Sequence, residues 1–351
     1  MQDRIKLLDN GDMQGAIESY PRQIKDILAT YTDWTPHSDK RRFNQVLYLG
    51  MGGSAIGGDL VRVWAERLSE TPLIVVRDYR IPAWVNEHTL VVASSYSGNT
   101  EETLSAAVAA AELGSTMLAV ASGGKLAELA ANNGWDLITI PSGMQPRAAI
   151  GYSAAAICVG LAGFKVLPDS VLQDLETGAG LMEQDTSLYG NPEGEDNPAL
   201  KAARLAVDYL PVIYGSPGTT ETLAVRLRGQ LAENSKIFAS HHNIPEQNHN
   251  EIVGLNERLK KYDDAVVIWL TDSDDHERVA LRRVISSELL NLCKSKAGEV
   301  SLAGHGATLL QRNLTLLYLI DWISFYAAIL GDYDPSQIDI LTRLKQKMSV
   351  Q

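Results

Sequence analysis

Short apolar runs alternate with longer amphipathic stretches over most of the 351-residue chain. In the first half the short runs are VLYLG, PLIVVRDY, TLVVASS, TMLAVAS and DLITIPS, and helical stretches follow most of them. Such runs are typical of buried strands. Strands that alternate with helices predict a parallel sheet with helices on both faces.

The second half repeats this rhythm after a polar stretch, DTSLYGNPEGEDNP, which is typical of an exposed connection. LPVIYG, DAVVIWLTD and GEVSLAG are its predicted strands, and VLYLGMGGS and PVIYGSPGT share one strand–turn–helix plan. We predict an α/β fold with two doubly wound parallel-sheet domains in tandem. A helical segment would cover residues 1–40, the domains residues 41–180 and 199–351 (with the C-terminal helices), and a linker residues 181–198.

Two polar turns follow strands of the predicted first domain. GMGGSA (residues 50–55) follows the first strand, and SSYSGNTEETL (residues 95–105) begins where the third strand ends. Ligands of such sheets bind beyond the carboxyl ends of the strands. Glycine lets the backbone approach a ligand closely, and the start of a helix offers free N–H groups to an anion. We therefore expect Gly53 and Ser54 to contact a phosphate.

The second turn is rich in hydroxyl groups. A phosphate monoester exposes three oxygens that accept hydrogen bonds, and Ser95, Ser97 and Thr100 offer a neutral set of donors for them. Asn99 and Glu102 have the spacing of a capping box, so part of this composition is ordinary helix capping. Together the two turns predict a pocket for one small phosphate.

Two other interpretations of the first turn stay open. Residues 50–55 fit the loose pattern G-x-G-x-x-G/A of dinucleotide-binding proteins, with Asp78 as the acid after the second strand. The turn could also serve packing alone. A dinucleotide site has no need of a second cluster of hydroxyl groups, which favours the small phosphate.

Composition narrows the class of protein. A net charge of -12 argues against sequence-independent binding of nucleic acid, which needs clustered Lys and Arg. Cys158 and Cys293 lie in apolar stretches without metal or disulfide spacing, which predicts buried thiols in a reducing cytoplasm. The N-terminus lacks an apolar core of signal-peptide length. Residues 314–330 are apolar around Asp321, which predicts a buried or interface helix and no membrane partner.

The stretches GMGGSAIGGDL and SSYSGNTEETL resemble the sugar isomerase (SIS) domain, an α/β unit that binds sugar phosphates. The resemblance implies that Ser95, Ser97 and Thr100 hold the phosphate. It also implies that both predicted domains have the SIS fold.

Three further stretches carry candidates for chemistry. Arg147 in PRAAIGYS follows the strand DLITIPS, Glu233 in QLAENSK lies on a helix, and His249 in PEQNHNEIVG lies in a loop. Aldose–ketose isomerisation needs a group that opens the sugar ring, a base between C1 and C2, and a cation for the enediolate. His249, Glu233 and Arg147 suit these roles in turn, without a metal. His241 and His242 are rivals of His249, and each candidate also has an ordinary structural interpretation.

QPRAAIGYS, QLAENSK and PEQNHNEIVG, in this order after the two turns, closely resemble the bifunctional phosphoglucose/phosphomannose isomerase family. The resemblance implies a homodimer without cofactor that interconverts fructose 6-phosphate with glucose 6-phosphate and mannose 6-phosphate through a cis-enediol. It makes Glu233 the base, Arg147 the stabilising cation, and His249 a ring-opening residue that reaches the site from the partner subunit.

The family also has a lysine that assists ring opening, in a C-terminal helix after a proline. DPSQIDILTRLKQKM offers Lys345 and Lys347, and the Leu-Lys placement favours Lys345. The threonine that accommodates mannose in the family has no secure counterpart. Two alternatives remain: a non-catalytic sugar-phosphate sensor, which needs the serines but not the catalytic candidates, and a dinucleotide-dependent oxidoreductase.

Overall fold

The computed structural model of the chain describes residues 1–38, 42–262, 264–291 and 298–348, except for the side chains of Asn291 and Lys345. Within these residues the chain forms two units. The first unit comprises residues 19–184 and 305–315, and the second comprises residues 1–18, 185–304 and 316–351.

The first unit contains a sheet of five parallel strands, in the order β2-β1-β3-β4-β5. They are β1 (Gln45–Leu49), β2 (Leu73–Val76), β3 (Thr89–Ser95), β4 (Thr116–Ala121) and β5 (Asp136–Thr139). In the central strand β3 every residue is buried, because helices cover both faces of the sheet. The chain turns outward in opposite directions from β1 and β3, so the crevice for a ligand is predicted at their carboxyl ends.

The second unit contains four parallel strands in the order β7-β6-β8-β9. They are β6 (Leu210–Gly215), β7 (Ser240–Asn243), β8 (Ala265–Thr271) and β9 (Glu299–Ala303). This order repeats that of β2-β1-β3-β4, which agrees with the predicted repeat. Strand β7 is absent from the sequence-based prediction, because its residues SHHN lack the apolar pattern of a strand. It lies at the edge of the sheet, where it pairs with β6.

Helices connect the strands. In chain order they are α1 (Gln2–Leu8), α2 (Met13–Glu18), α3 (Tyr20–Thr30), α4 (Gly52–Leu68), α5 (Glu101–Glu112), α6 (Gly124–Asn133), α7 (Ile150–Gly163), α8 (Ser170–Tyr189), α9 (Pro198–Asp208), α10 (Glu221–Asn234), α11 (Glu251–Tyr262), α12 (Glu277–Asn291), α13 (Leu309–Leu330) and α14 (Asp339–Met348). Short 3-10 helices cover Pro146–Ala148 and Glu246–His249.

The first half of the linker predicted at residues 181–198 is helical. Helix α8 runs through it to Tyr189, and Asn197 caps α9 by accepting hydrogen bonds from the amides of Ala199 and Leu200 at 3.0 and 3.2 Å. Composition alone did not reveal this, because the acidic, glycine-rich residues lie in the short connection between the two helices. The predicted domain limits stay a prediction, and the two units of the structure are discontinuous in sequence.

Helix α13 is long and apolar enough to cross a membrane by length and composition. However, 94% of its apolar window is buried inside the structure, as in the core helix of a folded domain.

Cys158 is buried in α7, where desolvation raises the pKa of its thiol. Cys293 lies outside the described residues.

Candidate active site

The turn between β1 and α4 places Gly53 against the segment that carries Arg147. A Cβ atom added to Gly53 would lie 2.9 Å from the carbonyl oxygen of Pro146 and 3.2 Å from the Cα atom of Arg147. Only a residue without a side chain allows this approach without displacement of the backbone. Gly53 therefore brings the start of α4 and the Arg147 segment together at the carboxyl edge of the sheet.

Ser54 joins the two polar turns. Its hydroxyl oxygen accepts a hydrogen bond from the backbone amide of Tyr96 at 3.1 Å, and its carbonyl oxygen accepts one from the Tyr48 hydroxyl at 2.7 Å. Because the Ser54 hydroxyl oxygen is an acceptor here, its proton can be donated to a ligand. The first two predicted phosphate-binding stretches thus meet, as the sheet topology requires.

The hydroxyl groups of the second turn lie at different depths. Ser95 is buried, and its hydroxyl lies 2.8 Å from that of Thr100, which is half-buried at the start of α5. Ser97 is exposed, and its hydroxyl accepts a hydrogen bond from the amide of Asn99 at 3.3 Å. The group can therefore present donors both at the base and at the rim of a pocket.

The predicted capping box of Asn99 and Glu102 is wrong. The N-cap residue of α5 is Thr100. The side chain of Asn99 instead donates to the carbonyl oxygen of Ser97 at 3.0 Å and accepts from the amide of Lys125 at 3.2 Å. Asn99 therefore ties the second turn to the start of α6, a contact that local spacing could not predict.

Arg147 lies in the 3-10 helix after β5 and is only 4% exposed. Its guanidinium donates a hydrogen bond to the side chain of Gln145 at 3.3 Å. An arginine keeps its charge at this depth, so the first unit holds a cation beside the two polar turns. The structure thus brings together all six candidates of this unit, namely Gly53, Ser54, Ser95, Ser97, Thr100 and Arg147.

The segment of Arg147 is supported by a residue that no sequence pattern singles out. Gln23, on α3, is fully buried and donates to the carbonyl oxygen of Ala148 at 2.8 Å. Its own oxygen accepts from the amides of Gly151 and Tyr152 at 3.1 and 3.3 Å, at the start of α7. Nothing in the local sequence signals this role, since the partners are more than a hundred residues away.

In the second unit, Glu233 is half-buried and is the penultimate residue of α10. The end of this helix is fixed by Lys236, whose ammonium donates to the carbonyl oxygens of Glu233 and Asn234, both at 3.1 Å, and of Asp334 at 2.6 Å. A cation suits this position because the end of a helix exposes carbonyl oxygens.

His249 ends the 3-10 helix Glu246–His249, and its side chain is exposed. The neighbouring Asn248 donates a hydrogen bond to the Ser286 hydroxyl on α12 at 2.8 Å. Glu251 accepts a hydrogen bond from the hydroxyl of Tyr214 at 3.0 Å, which gives it a structural role. The loop is therefore anchored on both sides while the imidazole faces outward.

The rival histidines lie on β7. His241 is half-buried, and desolvation, followed by the charge of Arg228, lowers the pKa of its imidazole. The Nδ1 atom of His242 accepts a hydrogen bond from the amide of Asn243 at 2.8 Å. Lys345 lies on α14, but its side chain is outside the described part of the chain; Lys347 on the same helix is exposed.

The turn after β6, which repeats the first turn, is occupied by the protein's own groups. The hydroxyl of Thr219 donates to the Asp275 carboxylate at 2.6 Å, and that of Thr220 to the carbonyl oxygen of Leu270 at 2.9 Å. The Glu221 carboxylate accepts from the amide of Gly218 at 3.1 Å. Two carboxylates here would repel a phosphate dianion, so this turn is a poorer candidate for a phosphate site than the turns of the first unit.

Among the described residues there is no group of three or more His, Cys, Asp or Glu side chains that could hold a metal ion. The polar groups around Ser54, Ser95 and Arg147 are hydroxyls, amides and a guanidinium, which bind anions, although the carboxylates of Glu101 and Glu102 lie nearby in the first turn of α5. The site is therefore equipped for a phosphorylated ligand.

The two parallel sheets are typical of an α/β protein of the sugar isomerase class. So are the hydroxyl groups in the turns after β1 and β3. The fold is similar to the C-terminal domain of glucosamine-fructose-6-phosphate aminotransferase from Francisella tularensis, with a TM-score of 0.71 and 16% identity over 93% of this chain and 98% of that one. Residues 195–348 match the family described as bacterial phospho-glucose isomerase C-terminal SIS domain. The predicted fold class is confirmed.

The chain belongs to the bifunctional phosphoglucose/phosphomannose isomerase family. It is 38% identical to the protein of that name from Caldicellulosiruptor bescii, over 95% of this chain and 98% of the relative. The protein of the same name from Aquifex aeolicus is 34% identical, over 88% and 92% of the two chains. The predicted family and the predicted enzyme class, an isomerase, are thereby confirmed.

Proposed function

We propose that the protein interconverts fructose 6-phosphate with glucose 6-phosphate and mannose 6-phosphate through a cis-enediolate, without a metal ion or cofactor. The observation that carries the proposal is the convergence of Ser54, Ser95 and Thr100 at one sheet edge beside the buried Arg147. The names of the relatives support the choice of substrates.

The phosphate is held by neutral donors. Ser54, Ser95, Ser97 and Thr100 supply hydroxyl groups, and the first turns of α4 and α5 supply backbone N–H groups at positive dipole ends. The absence of a side chain at Gly53 lets the backbone of the Arg147 segment lie against the first turn. A cradle of this kind recognises the phosphate of any hexose 6-phosphate, because none of its groups reads the sugar.

The chemistry is a proton transfer between two carbons. His249 and Lys345 assist opening of the sugar ring, and Glu233 removes the proton from C2 of the aldose. Arg147 stabilises the negative charge that develops on the enediolate oxygens. Glu233 then returns the proton to C1 and the ketose forms, so no atom is gained or lost. Glucose and mannose phosphates differ only at C2, so proton return to either face of a planar enediolate gives both.

We further propose a homodimer in which His249 acts on the partner's substrate. Support comes from α12, whose residue Ser286 holds the His249 loop. Leu281, Val284, Ile285 and Leu289 form an apolar stripe on this helix, and each is between 43% and 50% exposed. Residues at this spacing share one face of a helix, as in helix pairs.

The dimer is tested with Ile285→Glu, because a charge on the stripe opposes helix pairing. Sedimentation should show a monomer, and activity should be lost with it. Leu113→Glu, a leucine of comparable exposure on the first unit, should remain dimeric and active. An active Ile285→Glu monomer would mean that His249 is not supplied across an interface.

The cytoplasmic location stays a prediction, which the buried thiol of Cys158 supports.

The function is tested by a coupled assay with chelator present. Purified protein receives fructose 6-phosphate, and glucose 6-phosphate is followed through its dehydrogenase; a second assay starts from mannose 6-phosphate. Glu233→Gln is compared with wild type and with Glu257→Gln, which changes an exposed glutamate paired with Lys260. Turnover of both sugars, lost only in Glu233→Gln, supports the proposal. Binding of sugar phosphate without turnover would support the regulatory alternative.

A further inference from the structure

We propose that a buried polar stripe between α10 and α13 sets the position of Glu233, an inference that rests on the proposed function. The stripe comprises Arg226, Gln230 and Asn234 on α10 and Asp321 and Ser324 on α13. These five side chains are at most 3% exposed. The three residues of α10 are spaced by four, so they lie on one face of the helix.

At one end of the stripe, Arg226 and Asp321 form a forked ion pair. The Nε atom of Arg226 donates to one carboxylate oxygen of Asp321 at 2.9 Å, and its Nη2 atom donates to the other. A bidentate pair of this kind has a defined geometry, because both planar groups must stay aligned. It fixes how far α10 can slide or turn against α13.

At the other end, Ser324 receives the end of α10. The side-chain amide of Asn234 donates to the Ser324 hydroxyl at 3.0 Å, and that hydroxyl donates to the carbonyl oxygen of Asp321 at 2.8 Å. The Ser235 hydroxyl donates to the carbonyl oxygen of Ser324 at 2.6 Å. Glu233 immediately precedes Asn234 and Ser235, so its backbone is held within one residue of these bonds.

Stability alone does not account for the stripe. Apolar residues of similar volume are often equal or better replacements for a buried ion pair. The Nε2 atom of Gln230 has no hydrogen-bond partner among the described residues, which is unfavourable for a buried donor. Buried charges and unsatisfied buried donors are expected where function requires a particular geometry.

The geometry that requires control is the direction of the Glu233 carboxylate. The Cα atoms of a helix lie about 2.3 Å from its axis, and a glutamate carboxylate lies several ångströms further out. A rotation of α10 by roughly 20° would therefore move the carboxylate by about 2 Å. A misplacement of about 1 Å can reduce the rate of an enzyme by roughly a hundredfold. An apolar interface would permit such rotation, whereas the stripe opposes it.

The test removes the stripe without leaving an unpaired charge, by the double substitution Arg226→Met and Asp321→Leu. We expect kcat for fructose 6-phosphate to fall by about 10- to 100-fold, with KM within about threefold, because phosphate binding is untouched. Ser324→Ala should show the same split between kcat and KM to a smaller degree. The control is Tyr318→Phe on α13, which removes a partly buried hydrogen bond to Thr186 on α8 and should leave kcat unchanged.

The same substitutions are then combined with Glu233→Asp, which retains a carboxylate in a new position. If the stripe acts through Glu233, the losses in kcat will be clearly less than multiplicative. Multiplicative losses in kcat, or folded stripe variants with wild-type kcat, would overturn the inference. The proposed function would still stand if the wild type turns over substrate and Glu233→Gln does not. No turnover by wild type would overturn the proposed function and the inference with it. If the double variant does not fold, Ser324→Ala decides by the same criteria.

Discussion

The hydroxyl oxygen of Ser54 accepts a hydrogen bond from the backbone amide of Tyr96 at 3.1 Å, across 42 residues of sequence. This bond joins the turn after β1 to the turn after β3 at the point where the sheet order reverses. The two turns of the proposed phosphate site are therefore aligned before a ligand arrives. A preorganised set of donors loses little entropy on binding.

Ser54→Ala should weaken phosphate binding and destabilise the protein. The change removes one donor to the ligand and leaves the Tyr96 amide without its acceptor, which costs about 1–3 kcal/mol for a buried N–H group. KM for each sugar phosphate should rise at least about tenfold. Steady-state kinetics and urea unfolding measure the two effects. Ser105→Ala, at an exposed serine of α5, is the control and should change neither.

Gly53→Ala should reduce kcat. The added methyl group would meet the backbone of Pro146 and Arg147 at 2.9 and 3.2 Å, so one segment must move. Because Arg147 is the proposed stabilising cation of the enediolate, we expect a loss of about 10- to 100-fold in kcat. Gly180→Ala is the matched change at an open helical position and should stabilise the protein by about 0.5–1 kcal/mol. Wild-type kcat in Gly53→Ala would argue against a catalytic role of the Arg147 segment.

Gln23→Leu should lower both stability and activity. The substitution leaves the Ala148 carbonyl and the amides of Gly151 and Tyr152 without a partner, and we expect a loss of about 2–4 kcal/mol in the free energy of unfolding. Activity should fall in the variant even where it is fully folded, because the segment that holds Arg147 is no longer anchored. Arg22→Ala changes an exposed residue of the same helix and should preserve both.

Stability should depend on pH through His241. Burial lowers the pKa of its imidazole below the ordinary value of 6.5, so the unfolded chain binds a proton more readily than the folded one. The free energy of unfolding should therefore fall as the pH drops below the unfolded pKa, towards the lowered folded value. Urea unfolding at about pH 7.5 and about pH 5.5 tests this. His241→Gln should flatten that part of the profile.

Strands with apolar runs were predictable, and polar elements were not. Each of β1, β3 and β8 contains an uninterrupted apolar run because helices cover both faces of a parallel sheet. The edge strand β7 pairs through its backbone alone, so its side chains give no signal. Asn99 fits a capping box by spacing, yet it bonds to α6 because the turn packs against the turn after β4.

Candidate site residues were predictable where a polar turn directly follows the end of a strand in the sequence. Ser95 and Ser54 could be placed on one edge from topology alone, since parallel strands end together. The contacts of Gln23 and the stripe on α10 could not, because they join residues about a hundred positions apart. Residues Arg226 and Asp321 look in sequence like an ordinary surface charge and an interruption of an apolar helix.

The turn after β6 affects how many sugar phosphates one chain is expected to bind. The fold repeats its strand order, but in the second copy the carboxylates of Glu221 and Asp275 already take up donors that would otherwise meet an anion. In that half of the chain, two of the protein's own carboxylates permanently take the place that a bound anion would occupy. Calorimetric titration with a sugar phosphate should therefore saturate at one equivalent per chain, and doubling of the architecture does not double the number of sites.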